Sequence, residues 1–170
     1  PYFRAGQLGS YLETVQVLFC PRDVIEPRGA KKDIYRQRQV KVTSYTWNGA
    51  VHSYGSNRLD SNGGRTHKLS SFSPNAWLQW ETEENNAFYF NDAGNQPHEG
   101  ISQRHGGGRS TQAFTDTKGT AAVGQFDGSV KKVTFKQYYD LAGGPVGNTF
   151  TPAVRPNELW CDPASPTGGN

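Results

Sequence analysis

The amino-acid sequence predicts an α+β domain that is rich in β-strand, with short helices joined by long loops. Several short stretches alternate apolar and polar residues, which is the pattern of half-buried strands. Aromatic residues make up 12% of the chain although hydrophobic residues reach only 34%, and there are 20 glycines and 10 prolines. This composition favours strands and turns over helices. A length of 170 residues suits one domain with its own core, so residues 1–170 are treated as a single domain.

Two elements are predicted near the N-terminus. Residues 8–12 carry apolar side chains at i, i+3 and i+4, which predicts one or two turns of helix. Residues 15–19 alternate and predict a half-buried strand, which ends at Cys20-Pro21 because proline cannot donate to a sheet ladder. Residues 26–38 are polar and charged, which predicts a connection without regular structure.

The middle of the chain predicts two strands and indicates a third. Residues 39–48 (QVKVTSYTWN) alternate with a period of two. Residues 76–81 (AWLQWE) form the second predicted strand, with Trp77 and Trp80 on opposite faces. A third strand is indicated at 87–91, and residues 49–65 predict a long polar loop.

The strongest local signal is a β-hairpin in the C-terminal half. Residues 121–126 and 129–135 are both compatible with strands and flank Asp127-Gly128, the pair typical of a two-residue type I′ turn. Residues 136–141 then predict a short helix. Residues 142–170 hold five of the ten prolines and predict an extended tail, anchored by the apolar segment Leu159-Trp160-Cys161.

Charge and cysteine content narrow the possible functions. The net charge is +3 and the basic residues are scattered apart from 28–38, with no helix-turn-helix or zinc-finger pattern, so no nucleic-acid partner is expected. Methionine is absent and no run of 18 apolar residues occurs, which we interpret as a piece of a longer protein. Cys20 and Cys161 have no partner at metal-ligand spacing, so no zinc site is predicted. They either form a disulfide, which would stabilise the fold by roughly 4–5 kcal/mol, or remain free thiols.

Several short segments occur in an order that resembles a known family. They are a turn at 6–12, the corner Cys20-Pro21-Arg22-Asp23, Ser44-Tyr45 with Asn48, Pro74 with Glu81, Arg104-His105-Gly106-Gly107-Gly108 ahead of Asp127-Gly128, and Leu159-Trp160-Cys161. This order resembles bacterial prepilin-type (pseudopilin-like) proteins with a C-terminal His…Asp-Gly motif. The interval from His105 to Asp127 is longer than is usual in that family, so residues 109–120 are interpreted as an insertion.

The resemblance implies a fold, a location and partners. It implies a pilin-like antiparallel sheet packed against an N-terminal hydrophobic helix, which is absent from this chain and would follow a prepilin-peptidase cleavage site. That helix would anchor the subunit in the inner membrane and later pack in a filament, which leaves this domain periplasmic or extracellular. The implied partners are other pseudopilin or pilin subunits of a type II secretion or type IV pilus-like assembly, and the implied role in protein transport is structural and not enzymatic.

An extracytoplasmic glycan-binding β-domain is the alternative hypothesis. The chain contains four tryptophans and eight tyrosines together with long polar loops, and aromatic faces of this kind stack on sugars. The aromatic residues fall mainly at alternating strand positions, however, where packing into a core is their usual role. The pseudopilin-like interpretation is therefore preferred.

The candidate site residues are expected to have structural roles. No catalytic residue is predicted, because there is no Gly-x-Ser-x-Gly elbow and the glycine run lacks the Lys-Ser/Thr of a phosphate loop. The expected structural contacts are the His105 ring on backbone groups at the root of the hairpin, an Arg104–Glu81 ion pair, the Asp127-Gly128 turn, and Asp23 capping its own turn.

Two further expectations depend on the resemblance. Cys20 and Cys161 are predicted to form a disulfide, because the family is extracytoplasmic and the C-terminal tail has little else to hold it. Asp92, Asp116 and Asp127 are candidate calcium ligands, because related major pseudopilins use a C-terminal calcium loop and calcium takes six to eight oxygen ligands. No other cofactor is expected.

Overall fold

A computed structural model describes the chain at residues 6, 9–24, 30–51, 67–84, 86–105, 119–144 and 154–169. The fold combines one sheet with short helices, so the predicted α+β class is confirmed. The strands are β1 (Tyr45–Asn48), β2 (Trp77–Glu81), β3 (Gly94–Asn95), β4 (Thr120–Gln125) and β5 (Val130–Thr134). The α-helices are α1 (Pro21–Val24), α2 (Ala30–Gln37) and α3 (Phe135–Ala142), and 3-10 turns occur at Val15–Leu18, Leu69–Ser71 and Ala87–Phe90.

The five strands lie in the order β3-β1-β2-β4-β5. β1 pairs antiparallel with β2, β2 with β4, and β4 with β5, so both predicted middle strands join the sheet of the hairpin. β3 pairs parallel with β1, where Trp47 stands opposite Gly94. The sheet is therefore mixed, and the prediction of an antiparallel sheet is wrong at this edge. A strand of two residues has no alternation that a sequence pattern could reveal.

The core lies between one face of the sheet, α3 and the C-terminal segment (residues 154–169). Trp77 and Trp80 are both fully buried in it, although the alternation of β2 predicts them on opposite faces. A register shift between Trp77 and Gln79, where β2 pairs with β4, explains the difference. A β-bulge inserts one extra residue into a strand, so two residues that are three positions apart, such as Trp77 and Trp80, then lie on the same face. The core contains Trp77, Trp80, Ile101, Ala121, Val123, Val133, Phe135, Tyr138, Ala142, Leu159 and Trp160.

The predicted hairpin and the following helix are both confirmed, but the turn is wider than expected. Four residues, 126–129, connect β4 and β5, and the Gly128 amide donates to the Gln125 carbonyl at 3.0 Å. Gly128 has φ +85°, which is the left-handed region that favours glycine. α3 begins with a capping box between Thr134 and Gln137 and ends at Gly143, whose φ is +95°.

The N-terminal half departs further from prediction. The stretch predicted as a strand at 15–19 is a 3-10 turn, and the one at 87–91 is also largely a 3-10 turn. Val15 and Val17 are both exposed, so the alternation there has no buried face to match. α2 occupies the part of the chain that was predicted to be an irregular connection, and the helical turn predicted at 8–12 lies partly outside the described residues.

Asn48, the last residue of β1, fastens the C-terminal segment to the sheet. Its buried side-chain amide donates to the carbonyls of Trp77 and Leu159, each at 2.9 Å, and its oxygen accepts from the Ala50 amide at 2.9 Å. Every one of these groups is buried, where an unmade hydrogen bond is costly. The described part of the predicted tail, residues 154–169, contains no regular helix or strand. Its apolar anchor is nevertheless part of the core.

Candidate functional site

Cys20, Glu81 and His105 meet on the face of the sheet opposite the core, which we call the outer face. His105 Nε2 lies 2.9 Å from Glu81 Oε1 and 3.4 Å from Cys20 Sγ. Among the described residues, these three offer ligand atoms of His, Cys or carboxylate type that all lie within 4.8 Å of one another. Cys20 and Glu81 are buried, whereas the His105 side chain is 30% exposed. The cluster is therefore enclosed on the protein side and open at the imidazole.

Three separate elements hold the members of the cluster. Glu81 ends β2, and its Oε2 accepts from the Ala122 amide of β4 at 2.7 Å. The His105 amide donates to the Thr120 carbonyl at 3.2 Å, and the Thr120 amide donates in return to His105, so the backbone of His105 pairs with the first residue of β4. Cys20 lies between the first 3-10 turn and α1. His105 thus stands at the root of the hairpin, as predicted, but its ring contacts two side chains and not backbone groups.

A buried charge network lies next to the cluster, with Asp23 at its centre. Arg38 donates to both carboxylate oxygens of Asp23, at 2.7 and 2.8 Å. Arg104 Nη1 lies 3.3 Å from Asp23, and its Nη2 lies 3.6 Å from Glu84 and donates to the Thr82 carbonyl at 3.0 Å. The network ties α1 and the end of α2 to the strand region, which positions Cys20.

Two of the predicted contacts are therefore wrong. The expected partner of Glu81 was Arg104, but Glu81 contacts the adjacent residue, His105, while Arg104 pairs with Asp23 and Glu84. Asp23 was expected to cap its own turn, but its carboxylate binds two arginines. A backbone turn does form at this corner, because the Asp23 amide donates to the Cys20 carbonyl at 2.9 Å.

The surroundings of the cluster shift several pKa values. Burial raises the pKa of the Cys20 thiol, and the hydrogen bond to Glu81 and its charge raise it further. Burial opposes ionisation of Asp23, but the hydrogen bond from Arg38 and the charges of Arg104 and Arg38 lower its pKa below the ordinary value. Burial likewise opposes the charge on Arg104, yet the Asp23, Glu84 and Glu81 carboxylates raise its pKa. The network thus keeps Asp23 and Arg104 charged, whereas burial and Glu81 favour the protonated thiol of Cys20.

The cluster does not have the geometry of a nucleophilic triad. In such a triad the nucleophile contacts one ring nitrogen of histidine and the orienting carboxylate contacts the other. Here Cys20 and Glu81 both contact Nε2 of His105. A reactive cysteine also needs a lowered thiol pKa, whereas the pKa of Cys20 is raised. The arrangement instead brings a sulfur, a nitrogen and an oxygen atom within 4.8 Å of one another.

The structure does not join the two cysteines. Both are free thiols, so the predicted disulfide is not formed. Cys20 belongs to the cluster described above, whereas Cys161 Sγ lies 3.5 Å from the Asn48 side-chain amide. Burial and the charge of Asp162 raise the pKa of Cys161 to about 12. The C-terminal segment is held by Asn48 and by its apolar residues, which removes the reason for expecting a bridge.

Two of the candidate calcium ligands, Asp92 and Asp127, accept hydrogen bonds from backbone amides two residues further along the chain. Asp127 Oδ1 accepts from the Ser129 amide at 2.8 Å, and Asp92 Oδ1 accepts from the Gly94 amide at 2.8 Å. The Ser129 side chain and amide lower the pKa of Asp127. Neither aspartate belongs to a group of three potential ligands among the described residues. Asp116 lies outside those residues, as does the glycine run 106–108.

An apolar groove lies beside the cluster on the outer face. It has a volume of about 660 Å³ and is lined from β1, β2, β4 and β5, from 15–18 and from the N-terminal residues. Four of its lining residues are large, exposed hydrophobic side chains, namely Val17, Val42, Trp47 and Val130. Trp77, Trp80 and Trp160, by contrast, are buried. Of the four tryptophans, Trp47 is thus the one that offers a partly open face.

Sequence reasoning marked the members of the cluster separately but missed that they meet. His105 is 85 residues from Cys20 and 24 from Glu81, so a search for ligands close along the chain does not find the set. Each of the three lies in one of the family-like segments, and that shared order was the signal that could have linked them. Arg38 makes a central contact that no pattern indicated, and Asn48 was marked by a motif segment that did not reveal its contacts.

Comparisons with models of protein families, with curated proteins and with solved structures found no match to this chain. Within the described ranges, no helix has both the length and the apolar character needed to cross a membrane.

Proposed function

We propose that this chain is the extracytoplasmic domain of a pseudopilin-like subunit that acts through protein–protein assembly and not through catalysis. The observation that carries the proposal is the apolar groove on the outer face of the sheet. Several large, exposed apolar side chains line this groove together, and such a surface suits contact with an apolar segment of a protein. The order of the motif segments supports the resemblance to the pseudopilin-like family. The groove offers a binding site for the N-terminal helix that this resemblance implies.

The occupant we assign to the groove is an apolar helix that precedes Pro1 in the natural protein. Gly6, Gly9 and Leu12 line the groove, so the N-terminal part of this chain already lies against it. A helix that continues upstream from there would reach the groove without a long connection. It would cover the exposed side chains of Val17 and Val130 and leave the opposite, core-facing side of the sheet undisturbed.

Two features support an assembly role over the alternatives. The motif residues Asp23, Glu81 and Arg104 are engaged in internal contacts, and Cys20 and His105 lack the geometry of an activated nucleophile. Glycan binding is not favoured, because three of the four tryptophans are buried. By this proposal the partners are other pilin-like subunits and the inner membrane, and the domain lies in the periplasm or outside the cell.

The test compares the 170-residue chain with the natural protein that includes its upstream segment. That segment should contain an apolar stretch of roughly 20 residues, and the longer protein should melt at a higher temperature than the 170-residue chain. Val130→Arg should remove this gain, because an arginine in the groove opposes docking of an apolar helix. Val154→Arg is the matched control, since Val154 is 71% exposed, Val130 is 72% exposed, and Val154 does not line the groove.

Two outcomes would contradict the proposal. The first is an upstream sequence without an apolar stretch, and the second is an equal effect of the two arginine variants. Concentration-dependent association of the 170-residue chain that Val130→Arg abolishes would contradict only the occupant, because it would assign the groove to a neighbouring subunit instead of the chain's own helix.

A further inference from the structure

We infer that Cys20, Glu81 and His105 form a zinc-binding site on the outer face of the sheet. The inference does not depend on the assembly role proposed above, because it uses only contacts within the folded domain. It also differs from the calcium site that the family resemblance suggested, which involved other residues and oxygen ligands alone.

The donor atoms define the kind of ion. A thiolate sulfur, an imidazole nitrogen and a carboxylate oxygen are the ligands of zinc sites in proteins, whereas calcium and magnesium take oxygen ligands. Thiolate and imidazole ligands favour zinc and its neighbours among the transition metals. Zinc displaces the thiol proton of Cys20 into solvent when it binds, and one thiolate with one carboxylate then balances the charge of the divalent cation, so the loaded site is neutral in a buried environment.

Two of the three donor separations suit a tetrahedral ion after a small adjustment, and the third, from Cys20 to Glu81, lies within 4.8 Å. Bonds of ~2.3 Å to sulfur and ~2.0–2.2 Å to nitrogen and oxygen place neighbouring ligand atoms roughly 3.4–3.6 Å apart. Cys20 Sγ and His105 Nε2 are already 3.4 Å apart. His105 Nε2 and Glu81 Oε1 are 2.9 Å apart, which is a hydrogen bond that opens by roughly half an ångström when an ion replaces the shared proton.

The surrounding protein holds Glu81 and the backbone of His105 in place and leaves the site open to solvent beside the His105 ring. The Ala122 amide fixes one oxygen of Glu81 at 2.7 Å and thereby directs the other oxygen toward His105. The backbone of His105 is paired with Thr120 of β4. The His105 side chain is 30% exposed, so a water molecule can reach the fourth position from this side. Three protein ligands with one open position is a known zinc arrangement.

The ion would connect segments that are distant in sequence. It would join the corner at Cys20, the end of β2 at Glu81 and the start of the hairpin at His105. Binding of zinc to the folded chain therefore stabilises it by mass action. We expect the melting temperature of the 170-residue chain to rise when zinc is added and to fall again when a chelator removes the metal.

The test titrates the metal-free 170-residue chain with Zn²⁺ in competition with a chromogenic chelator, and with Co²⁺ followed by visible absorption. One zinc ion should bind per chain, and Cys20→Ser and His105→Gln should each weaken binding at least ~10-fold. Cys161→Ser is the matched control and should leave zinc affinity unchanged. Because the chain has two cysteines, Cys20 is the sole thiol of that variant, so its cobalt complex should retain the thiolate-to-cobalt charge-transfer band.

The control variant keeps the test decisive even where Cys20→Ser fails to fold. A cobalt complex of Cys161→Ser without a thiolate band would overturn the inference. So would the absence of saturable zinc binding by the unsubstituted chain, or zinc affinity that Cys20→Ser and His105→Gln leave unchanged. These results are expected if the three side chains only contact one another and bind no metal. A zinc site predicts saturable binding, a thiolate band in Cys161→Ser, and weaker binding by Cys20→Ser and His105→Gln.

Discussion

At the scale of single residues, Asp23 is the carboxylate at the centre of the buried charge network. Its carboxylate binds Arg38 through two hydrogen bonds and lies 3.3 Å from Arg104, and all three side chains are buried. Arg38 also stacks its guanidinium over Phe90 at 3.6 Å from the ring centroid. One carboxylate therefore contacts two buried positive charges, although Arg104 also lies near Glu84, and the site is sensitive to removal of Asp23.

Asp23→Asn should destabilise the fold strongly. The amide keeps the shape of the side chain but removes the carboxylate that Arg38 contacts and leaves the buried Arg104 with Glu84 alone, which costs about 3–5 kcal/mol. Asp140→Asn is the matched control, because Asp140 is 60% exposed and pairs with Lys136 one helical turn away. Such a pair contributes less than ~0.5 kcal/mol. Urea denaturation of the two variants and the unsubstituted chain measures the difference.

The pH dependence of the same comparison provides a second measurement. The pKa of Asp23 is lowered in the folded chain, so its contribution is fully present above the unfolded value of ~3.9 and is lost as pH falls through the folded value. The gap in stability between the unsubstituted chain and Asp23→Asn should therefore narrow below about pH 4. A gap that stays constant on acidification, or a control that loses as much stability as Asp23→Asn, would argue against this role.

The same scale shows why the candidate site could be predicted only in part. The sequence order drew attention to Cys20, Glu81 and His105 one by one, since each lies in a motif segment. It could not pair them, because pairing depends on how β2 and the start of the hairpin align, and a shift of one residue would turn Glu81 to the core face. The expected Arg104–Glu81 pair was wrong for this reason: the neighbouring residue, His105, faces Glu81.

At the scale of elements, local sequence rules succeeded where one element carries its own signals. The hairpin was predicted from the Asp127-Gly128 pair and from alternation in its second strand, and the structure adds caps at both ends of α3. The strand predicted at 39–44 does not form. The backbone amides of Val40 and Ser44 instead donate single hydrogen bonds to the carbonyls of Phe90 and Leu18. Alternation predicts a strand only where a neighbouring strand is within reach, and that depends on tertiary structure.

The hairpin turn provides a prediction at this scale. Gly128 has φ +85°, and nothing lies within 4 Å of the position that a Cβ atom would take. A substitution there therefore changes backbone energy alone. Gly128→Val should lose about 1–2 kcal/mol, and Gly128→Asn should lose clearly less, because asparagine adopts left-handed conformations more readily than other residues with side chains.

Thermal denaturation of the two Gly128 variants measures this difference. Equal losses for valine and asparagine would show that the left-handed conformation of Gly128 does not govern the turn. An unchanged melting temperature in both variants would show that the turn adopts another conformation in solution.

At the scale of the whole molecule, the two faces of the sheet have different roles. The core face carries Trp77, Trp80 and the apolar residues of β4, and it is covered by α3 and the C-terminal segment. The outer face carries the charge network and the Cys20–Glu81–His105 cluster at one end and the apolar groove beside them. Folding stability therefore depends mainly on the core face, whereas the proposed contacts with helix and metal use the outer face.

A pair of tryptophans on the two faces separates these roles. Trp160 is 4% exposed and donates its ring N–H to the Ala142 carbonyl at 3.3 Å, so the C-terminal segment is a structural part of the core. Trp47 is 38% exposed and lines the groove. Trp160→Ala should lose about 3–5 kcal/mol of folding free energy, whereas Trp47→Ala should lose ~1 kcal/mol.

Urea denaturation of the 170-residue chain tests this division, because it contains neither the proposed helix nor a partner subunit. Three of the four tryptophans remain in each variant and report the transition by fluorescence, so the two unfolding curves are directly comparable. If Trp160→Ala unfolds at the same urea concentration as the unsubstituted chain, the C-terminal segment does not contribute to the core. If Trp47→Ala is the more damaging of the two, the outer face contributes to the core, and the groove is not a free surface for docking.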